Sequence, residues 1–205
     1  TATSTIASHE LPLFFHKSDS KKNLIVNVMS QRGLCGGLNA NLFSKVVKLK
    51  REIESSGEHV EFISVNKSSQ KYLRNFHEKI IAYFAEIKEN PELEEIQPIV
   101  DLVKTKFSDY KNIYIAYSEF VKTGVYAPKI IKILPIESDP TEPNEGVKTD
   151  YIIEPDPRTA LETLSNMFIE LEIYEAVLSN QASEHTARMI SMKKATDNVK
   201  NLVKD

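Results

Sequence analysis

The C-terminal quarter of the chain places the strongest constraint on its fold. From Arg158 to Asp205, 48 consecutive residues include neither glycine nor proline, so no residue in this stretch favours an interruption of a helix. At 1.5 Å per residue, the segment predicts one continuous helix about 70 Å long. A sheet extends only about 20 Å along its strands. We therefore expect about half of this helix to project beyond any sheet it packs on.

Apolar or small residues recur along the predicted helix in steps of three and four that alternate, with a slip only around Tyr174 to Leu178. They are Leu161, Leu164, Phe168, Leu171, Tyr174, Leu178, Ala182, His185, Met189, Met192, Thr196, Val199 and Val203. This spacing averages about 3.5 residues and predicts a coiled-coil seam that packs against a second helix. Residues 1–20 cannot supply that helix, so it belongs either to another chain or to a segment outside these 205 residues.

Charge is unevenly divided along the same helix. Residues 158–183 carry one basic and four acidic side chains, whereas residues 184–205 carry five basic and three acidic ones. Two interpretations stay open. Either these are solvated helix faces with i,i+4 pairs such as Glu184–Arg188, or the distal half is a basic tip that faces acidic loops of a partner.

The first 157 residues show the pattern of an α/β domain that follows a polar lead-in segment at residues 1–20. Short apolar runs predict strands at 23–29, 60–65, 80–84, 112–117 and 128–134, and helical spacing predicts helices at 38–55, 68–75 and 93–107. This alternation predicts an open, largely parallel sheet covered by helices. The predicted fold class is thus α/β, with residues 158–205 added as a long helix that forms half of an antiparallel coiled coil.

Composition argues against several classes of function. The net charge of -3 gives no electrostatic support for nucleic-acid binding. Cys35 is the single cysteine and the five histidines are scattered, so we predict no metal site and no cofactor. No apolar run approaches the roughly 18 residues that a membrane-spanning helix requires, so we expect no direct membrane insertion.

A glycine-containing loop, Ser30 to Asn39, lies between the first predicted strand and its helix, where α/β proteins bind phosphate. It lacks the lysine of a P-loop and the G-x-G-x-x-G spacing of a dinucleotide site. We therefore interpret Gly33, Gly36 and Gly37 as a structural turn and Cys35 as a buried structural thiol. Two alternatives to the function inferred below stay open: an α/β nucleotide- or phosphate-binding enzyme that uses this loop, and a coiled-coil adaptor.

Two segments together resemble the gamma-subunit family of F-type ATP synthases. They are the loop Ser30 to Asn39 and the helical run Ala182 to Asn198, with Tyr151 to Pro157 similar to the family's lead into its terminal helix. The resemblance covers roughly residues 22–205. It implies a non-catalytic rotor subunit of the central stalk, which couples proton-driven rotation of the c-ring to conformational cycling of catalytic beta subunits.

The same resemblance implies partners and a location. The α/β domain would be a foot on the c-ring beside an epsilon-type subunit, and the long helix would be a shaft inside the hexamer of alpha and beta subunits. The protein would be peripheral on the inner face of a bacterial membrane or the matrix face of the mitochondrial inner membrane. The family's long N-terminal helix, absent from these 205 residues, would then be the partner of the seam.

Residue roles follow from the resemblance position by position. The residues implied to contact the beta subunits are Glu184, Arg188, Met189 and Met192. Those implied to contact the c-ring are Tyr151, Ile153 and Glu154, although the family has a tyrosine where this chain has Ile153. A single cysteine excludes the regulatory dithiol of the chloroplast members.

Overall fold

The computed structural model describes residues 12–137 and 156–204, which form an α/β domain and one very long helix. The strands are β1 Lys22–Val28, β2 His59–Val65, β3 Ile80–Phe84, β4 Asn112–Lys122 and β5 Val125–Leu134. The α-helices are α1 Leu38–Ser55, α2 Asn66–Asn75, α3 Leu93–Lys106 and α4 Pro157–Lys204. Single turns of 3-10 helix occur at Leu13–Phe15 and Phe107–Asp109.

The five strands form one sheet in the order β3-β2-β1-β4-β5. Every neighbouring pair is parallel except β4 and β5, which are antiparallel. This confirms the prediction of a largely parallel sheet covered by helices. The sequence reading missed the length of the β4–β5 hairpin, which continues to a turn at Gly124, where φ is +87°.

Both faces of the sheet are covered. Alternate residues of β1 point to opposite sides: Leu24 and Val26 join the core beneath α3 and α4, while Ile25 joins the core beneath α1 and α2. All three side chains are fully buried. A continuous apolar run is what a central parallel strand requires when helices cover both of its sides.

Helix α4 extends without interruption over 48 residues, as the absence of glycine and proline predicted. Its N-terminus is capped by Asp156, whose carboxylate accepts hydrogen bonds from the Thr159 amide at 3.0 Å and the Thr159 hydroxyl at 2.7 Å. Such a cap satisfies backbone donors that have no partner within the helix.

Two different faces of α4 carry its apolar residues. The face toward the α/β domain includes the fully buried Ile169, Ile173 and Val177. The predicted seam lies on another face, where its exposed apolar members are Leu164, Phe168, Leu171, Met189, Met192, Val199 and Val203. No helix covers these exposed members within residues 12–137 and 156–204.

Two details of the helix prediction were wrong. Two residues assigned to the seam are not free for a partner helix: Leu161 is buried, and Tyr174 packs against the core of the domain. The helix also stays at least partly buried against the domain until Ser191, so that only the residues after it, about 20 Å of helix at 1.5 Å per residue, extend beyond the buried contact. The overhang is shorter than expected because the contact surface extends past the strand ends, through the glycine loop beside Ser191.

Hydrogen exchange in α4 should therefore change rate near Ser191 and not in the middle of the helix. Amides between Leu161 and Ser191 should be protected by packing, whereas those from Met192 onward belong to about 13 exposed residues, a length that is marginal for an isolated helix. Exchange measured by mass spectrometry on the chain alone checks this. Equal protection through Val203 would contradict an unpartnered distal seam.

One buried carboxylate joins three elements at the edge of the sheet near the start of β2. Glu61 accepts hydrogen bonds from the Tyr110 hydroxyl at 2.6 Å and the Lys79 ammonium at 2.7 Å. Burial alone raises the pKa of Glu61, but the hydrogen bonds from Lys79 and Tyr110, with the positive charge of Lys22, outweigh it and leave the pKa lowered. Burial and the neighbouring carboxylate raise the pKa of Tyr110.

The lowered pKa of Glu61 predicts a loss of stability in acid. The stabilisation is complete above the unfolded-state value of about 4.3 and disappears as pH falls through the lower folded-state pKa. Glu61→Gln should cost about 2 kcal/mol at pH 7 and flatten the dependence of stability on pH below 4.3. Urea unfolding at pH 7, 5 and 3 measures both, with exposed Glu52→Gln as the control. An unchanged acid slope in Glu61→Gln would contradict this role.

Candidate functional site: the junction of the glycine loop and α4

The two segments that carry the sequence resemblance meet in the structure. The glycine loop, residues 30–37, leaves the end of β1 and lies against the distal half of α4, about 150 residues later in the chain. At their contact, Cys35 and Leu38 pack with Ala187 of α4 in a small buried cluster. The site is therefore an internal joint between the domain and the helix.

The carboxylate of Glu184 makes most of the polar contacts between the glycine loop and α4. Glu184, which is 5% exposed, accepts the Gln31 amide through Oε2 at 2.8 Å and the Arg32 amide through Oε1 at 3.0 Å. Arg188 pairs with the same carboxylate and donates from Nε to the Gly33 carbonyl at 3.3 Å. Charge-assisted bonds of this type are stronger than neutral ones and offset the cost of burying the carboxylate.

This arrangement also bears on phosphate binding. Two amides of the loop already donate to Glu184. A buried carboxylate beside them would repel a phosphate group. The geometry thus favours the interpretation of the loop as a structural turn and gives no support to a nucleotide-binding enzyme.

Asn39, at the end of the loop, bonds back to its first residue. The Asn39 side chain accepts the Ser30 amide at 3.1 Å and donates to the Ser30 hydroxyl at 2.7 Å. Cys35 is buried beside them, with its Sγ 3.7 Å from Ser30 Oγ. The prediction of a buried cysteine is confirmed.

The three glycines of the predicted turn have different requirements. Gly36 has φ +58°, and a Cβ added there would stand 3.0 Å from Ser191 Oγ on α4. Gly33 has open space around it, and a Cβ on Gly37 would make only ordinary contact with Asn41 at 3.5 Å. Only Gly36 combines a left-handed backbone with a close approach, so it alone needs to be glycine for both reasons.

The residues that the resemblance assigns to partner contacts fall into three groups. Glu184 and Arg188 are engaged with the glycine loop of their own chain. Met189 and Met192 are exposed, and Met192 lines a groove of about 840 Å³ between the glycine loop, α2 and the distal part of α4. Tyr151, Ile153 and Glu154 lie outside the described residues.

Sequence reasoning recognised the Glu184–Arg188 pair but missed its contact with the loop. The pair is a local i,i+4 feature that any helix can show. No local signal connects it to Gln31 and Arg32, because that contact depends on how α4 lies across the sheet.

The fold and this junction define a stalk-like protein, in which an α/β domain is fastened along a long helix whose seam and distal turns are exposed. No helix among the described residues is both long enough and apolar enough to cross a membrane. No group of three or more possible metal ligands occurs among those residues either.

Comparison with known proteins agrees with this class. A family model described as ATP synthase matches residues 1–205. The ATP synthase gamma chain of Verminephrobacter eiseniae is 32% identical over 198 residues, 94% of this chain and 67% of that protein. The corresponding protein of Variovorax paradoxus is also 32% identical over 198 residues, with the same coverage. This chain belongs to the ATP synthase gamma-chain family.

Solved structures show the same fold at lower identity. A Tetrahymena thermophila mitochondrial ATP synthase structure of the central stalk and c-ring has a chain with TM-score 0.67 and 21% identity, covering 88% of this chain and 79% of that one. A rotor chain of the Euglena gracilis mitochondrial ATP synthase has TM-score 0.67 and 20% identity, covering 90% of this chain and 70% of that one.

The difference among the glycines gives a matched pair of variants. Gly36→Ala should destabilise the chain by about 1–2 kcal/mol because alanine resists the left-handed conformation, and the contact with Ser191 adds to the cost. Gly33→Ala should stay within about 0.5 kcal/mol of the wild type. Urea unfolding followed by circular dichroism measures both. Equal effects of the two substitutions would contradict the proposed close approach of Gly36 to α4.

Proposed function

We propose that this chain is the central-stalk rotor subunit of an F-type ATP synthase and has no catalytic activity of its own. It couples proton-driven rotation of the c-ring to conformational cycling of the catalytic beta subunits, in ATP synthesis or in hydrolysis. One observation carries the proposal: α4 is fastened to a compact domain over Leu161–Ser191, while most of its seam and the residues from Met192 to Val203 stay exposed. A subunit that transmits rotation from the c-ring to the beta subunits needs a helix that is fixed to the domain at one end and free to contact partners at the other.

The mechanism follows from the asymmetry of such a subunit. A helix turning inside a ring of subunits presents a different face to each of them in turn. If the face binds one conformation of a beta subunit more tightly than another, rotation shifts the equilibrium between those conformations. Nucleotides would bind the alpha and beta subunits, and this chain would bias their affinity without touching the phosphates.

The proposal assigns the two ends of the molecule to different partners. The α/β domain would stand on the c-ring beside an epsilon-type subunit, with Tyr151, Ile153 and Glu154 at that contact. The distal part of α4 would lie within the hexamer of alpha and beta subunits. The protein would be held peripherally at the inner face of a bacterial membrane or the matrix face of the mitochondrial inner membrane.

Contacts with the beta subunits are proposed for Arg188, Met189 and Met192, with Glu184 close behind. The side chain of Arg188 keeps 16% of its surface exposed while it pairs with Glu184. The guanidinium has five donors, and the two bonds found in the chain leave others for an acidic loop. The exposed Lys193 and Lys194 extend the same positive surface toward the tip.

Replacing Arg188 with alanine should weaken coupling more than hydrolysis. The substitution removes a charge-assisted hydrogen bond of roughly 1.5–3 kcal/mol in whichever rotor state makes it best. In the full complex we expect assembly and ATP hydrolysis to persist while ATP-driven proton pumping falls. Both activities are measured in the same membrane preparation.

Arg158→Ala is the matched control, since Arg158 is exposed on the first turn of the same helix. Equal hydrolysis and pumping in Arg188→Ala and this control would show that Arg188 makes no state-dependent contact. Failure of the wild-type chain to co-purify with alpha and beta subunits would contradict the proposed function itself.

A further inference from the structure

A band of polar side chains in α4 binds the backbone of three separate parts of the domain. We call this band the polar collar. Its members are Ser179, Asn180, Gln181, Ser183, Glu184 and Arg188. Nearer the start of the helix, the contact with the domain is mainly apolar, through residues such as Ile169 and Ile173.

On one side, the collar grips strand β4. The Phe120 amide donates to the Ser179 hydroxyl at 2.8 Å. The Ser118 amide donates to Asn180 Oδ1 at 3.3 Å, and the Ser183 hydroxyl donates to the Ser118 carbonyl at 2.9 Å. These bonds lie where β4 continues past its partner β1.

On the other side, the collar grips two loops. Gln181 donates to the Lys88 carbonyl at 2.8 Å and accepts the Asn90 amide at 3.2 Å. Glu184 and Arg188 hold the glycine loop through the bonds described above. At about 100° per residue, the positions from Ser179 to Gln181 already span about 200° of the helix circumference.

These hydrogen bonds resist rotation of α4 about its own axis relative to the domain, because they are directional and lie on several sides of the helix. Apolar contacts are non-directional, whereas hydrogen bonds weaken steeply when their distance or angle changes. With side chains about 5 Å from the axis, a 20° rotation of α4 would move their atoms by about 2 Å. Such a rotation would lengthen bonds on both flanks of the collar at once.

We propose that the polar collar is the joint that transmits torque between α4 and the α/β domain, with Glu184 as its main positioning residue. Glu184 lies two turns before the helix leaves the domain, where a twist applied to the projecting tip first reaches the collar. Its carboxylate receives two loop amides and orients Arg188. This inference rests on the proposed rotor function and assigns Glu184 to the joint inside the chain.

The test uses Glu184→Gln, which keeps the volume of the side chain but removes its charge and its ion pair with Arg188. In the chain alone, hydrogen exchange at the amides of Gln31 and Arg32 should accelerate about tenfold or more, as expected for loss of a charge-assisted bond. In the full complex, ATP hydrolysis should persist while the ratio of protons pumped to ATP hydrolysed falls. A role in folding alone would lower assembly and leave that ratio unchanged.

Two further variants make the test specific. Ser179→Ala removes the acceptor of the Phe120 amide at the opposite flank of the collar, so it should lower the same ratio without changing exchange in the glycine loop. Glu175→Gln, at an exposed position of the same helix, should behave like the wild type in both measurements.

The outcomes separate the two proposals. Faster exchange at Gln31 and Arg32 with an unchanged pumping ratio in both collar variants would overturn the torque-transmitting role. Unchanged hydrogen exchange at Gln31 and Arg32 in Glu184→Gln would show that Glu184 does not hold the glycine loop. A wild-type chain that assembles but supports no pumping would overturn the rotor function, and the role of the collar with it.

Discussion

The structure depends on one helix, α4, which packs against the sheet on one face and presents an apolar stripe for a second helix on another. Helix α4 buries Ile169, Ile173 and Val177 against the sheet, and it leaves the seam members Leu164 and Leu171 exposed. Both sets of residues recur at helical spacing, so the helix can bind its own domain and still present an apolar stripe to another helix. The orientation of α4 about its axis decides which of the two stripes is buried and which stays exposed.

Apolar packing alone would fix this orientation poorly, because burial of area is non-directional. Polar side chains on α4 supply the missing direction through hydrogen bonds to the backbone of β4, the segment at Lys88 to Asn90 and the glycine loop. Among them Glu184 carries the largest cost, since a buried carboxylate requires partners for its charge. Two amides and Arg188 provide them.

The glycine loop illustrates how a familiar position in an α/β fold takes on another role. It follows β1 and precedes α1, where related topologies hold phosphate at a helix N-terminus. Here the loop amides bind a carboxylate from the same chain, and Gly36 lets the loop approach Ser191 closely. The loop thereby binds a helix of its own chain, and the carboxylate of Glu184 accepts two of its amides.

Much of the fold and part of the site could be predicted. The buried strands are short apolar runs and α4 has no glycine or proline after Pro157, so their existence depends on local composition and periodicity. The length of the projecting tip could not be predicted, since it depends on how far the β4–β5 hairpin and the loops extend beside the helix. The docking of Glu184 on Gln31 and Arg32 was equally inaccessible, because residues 150 positions apart carry no local sign of their contact.

The sequence by itself determined the class of the sheet, the continuity of α4, the heptad seam and the two segments that resemble the gamma-chain family. These properties follow from periodicity and from residue types acting over a few turns or strands. Only the tertiary structure decided which apolar face of α4 is buried, which glycine is indispensable and where the charge of Glu184 is neutralised. Those outcomes depend on the relative placement of distant backbone segments, which the side chains join only after the sheet and the helix have come together.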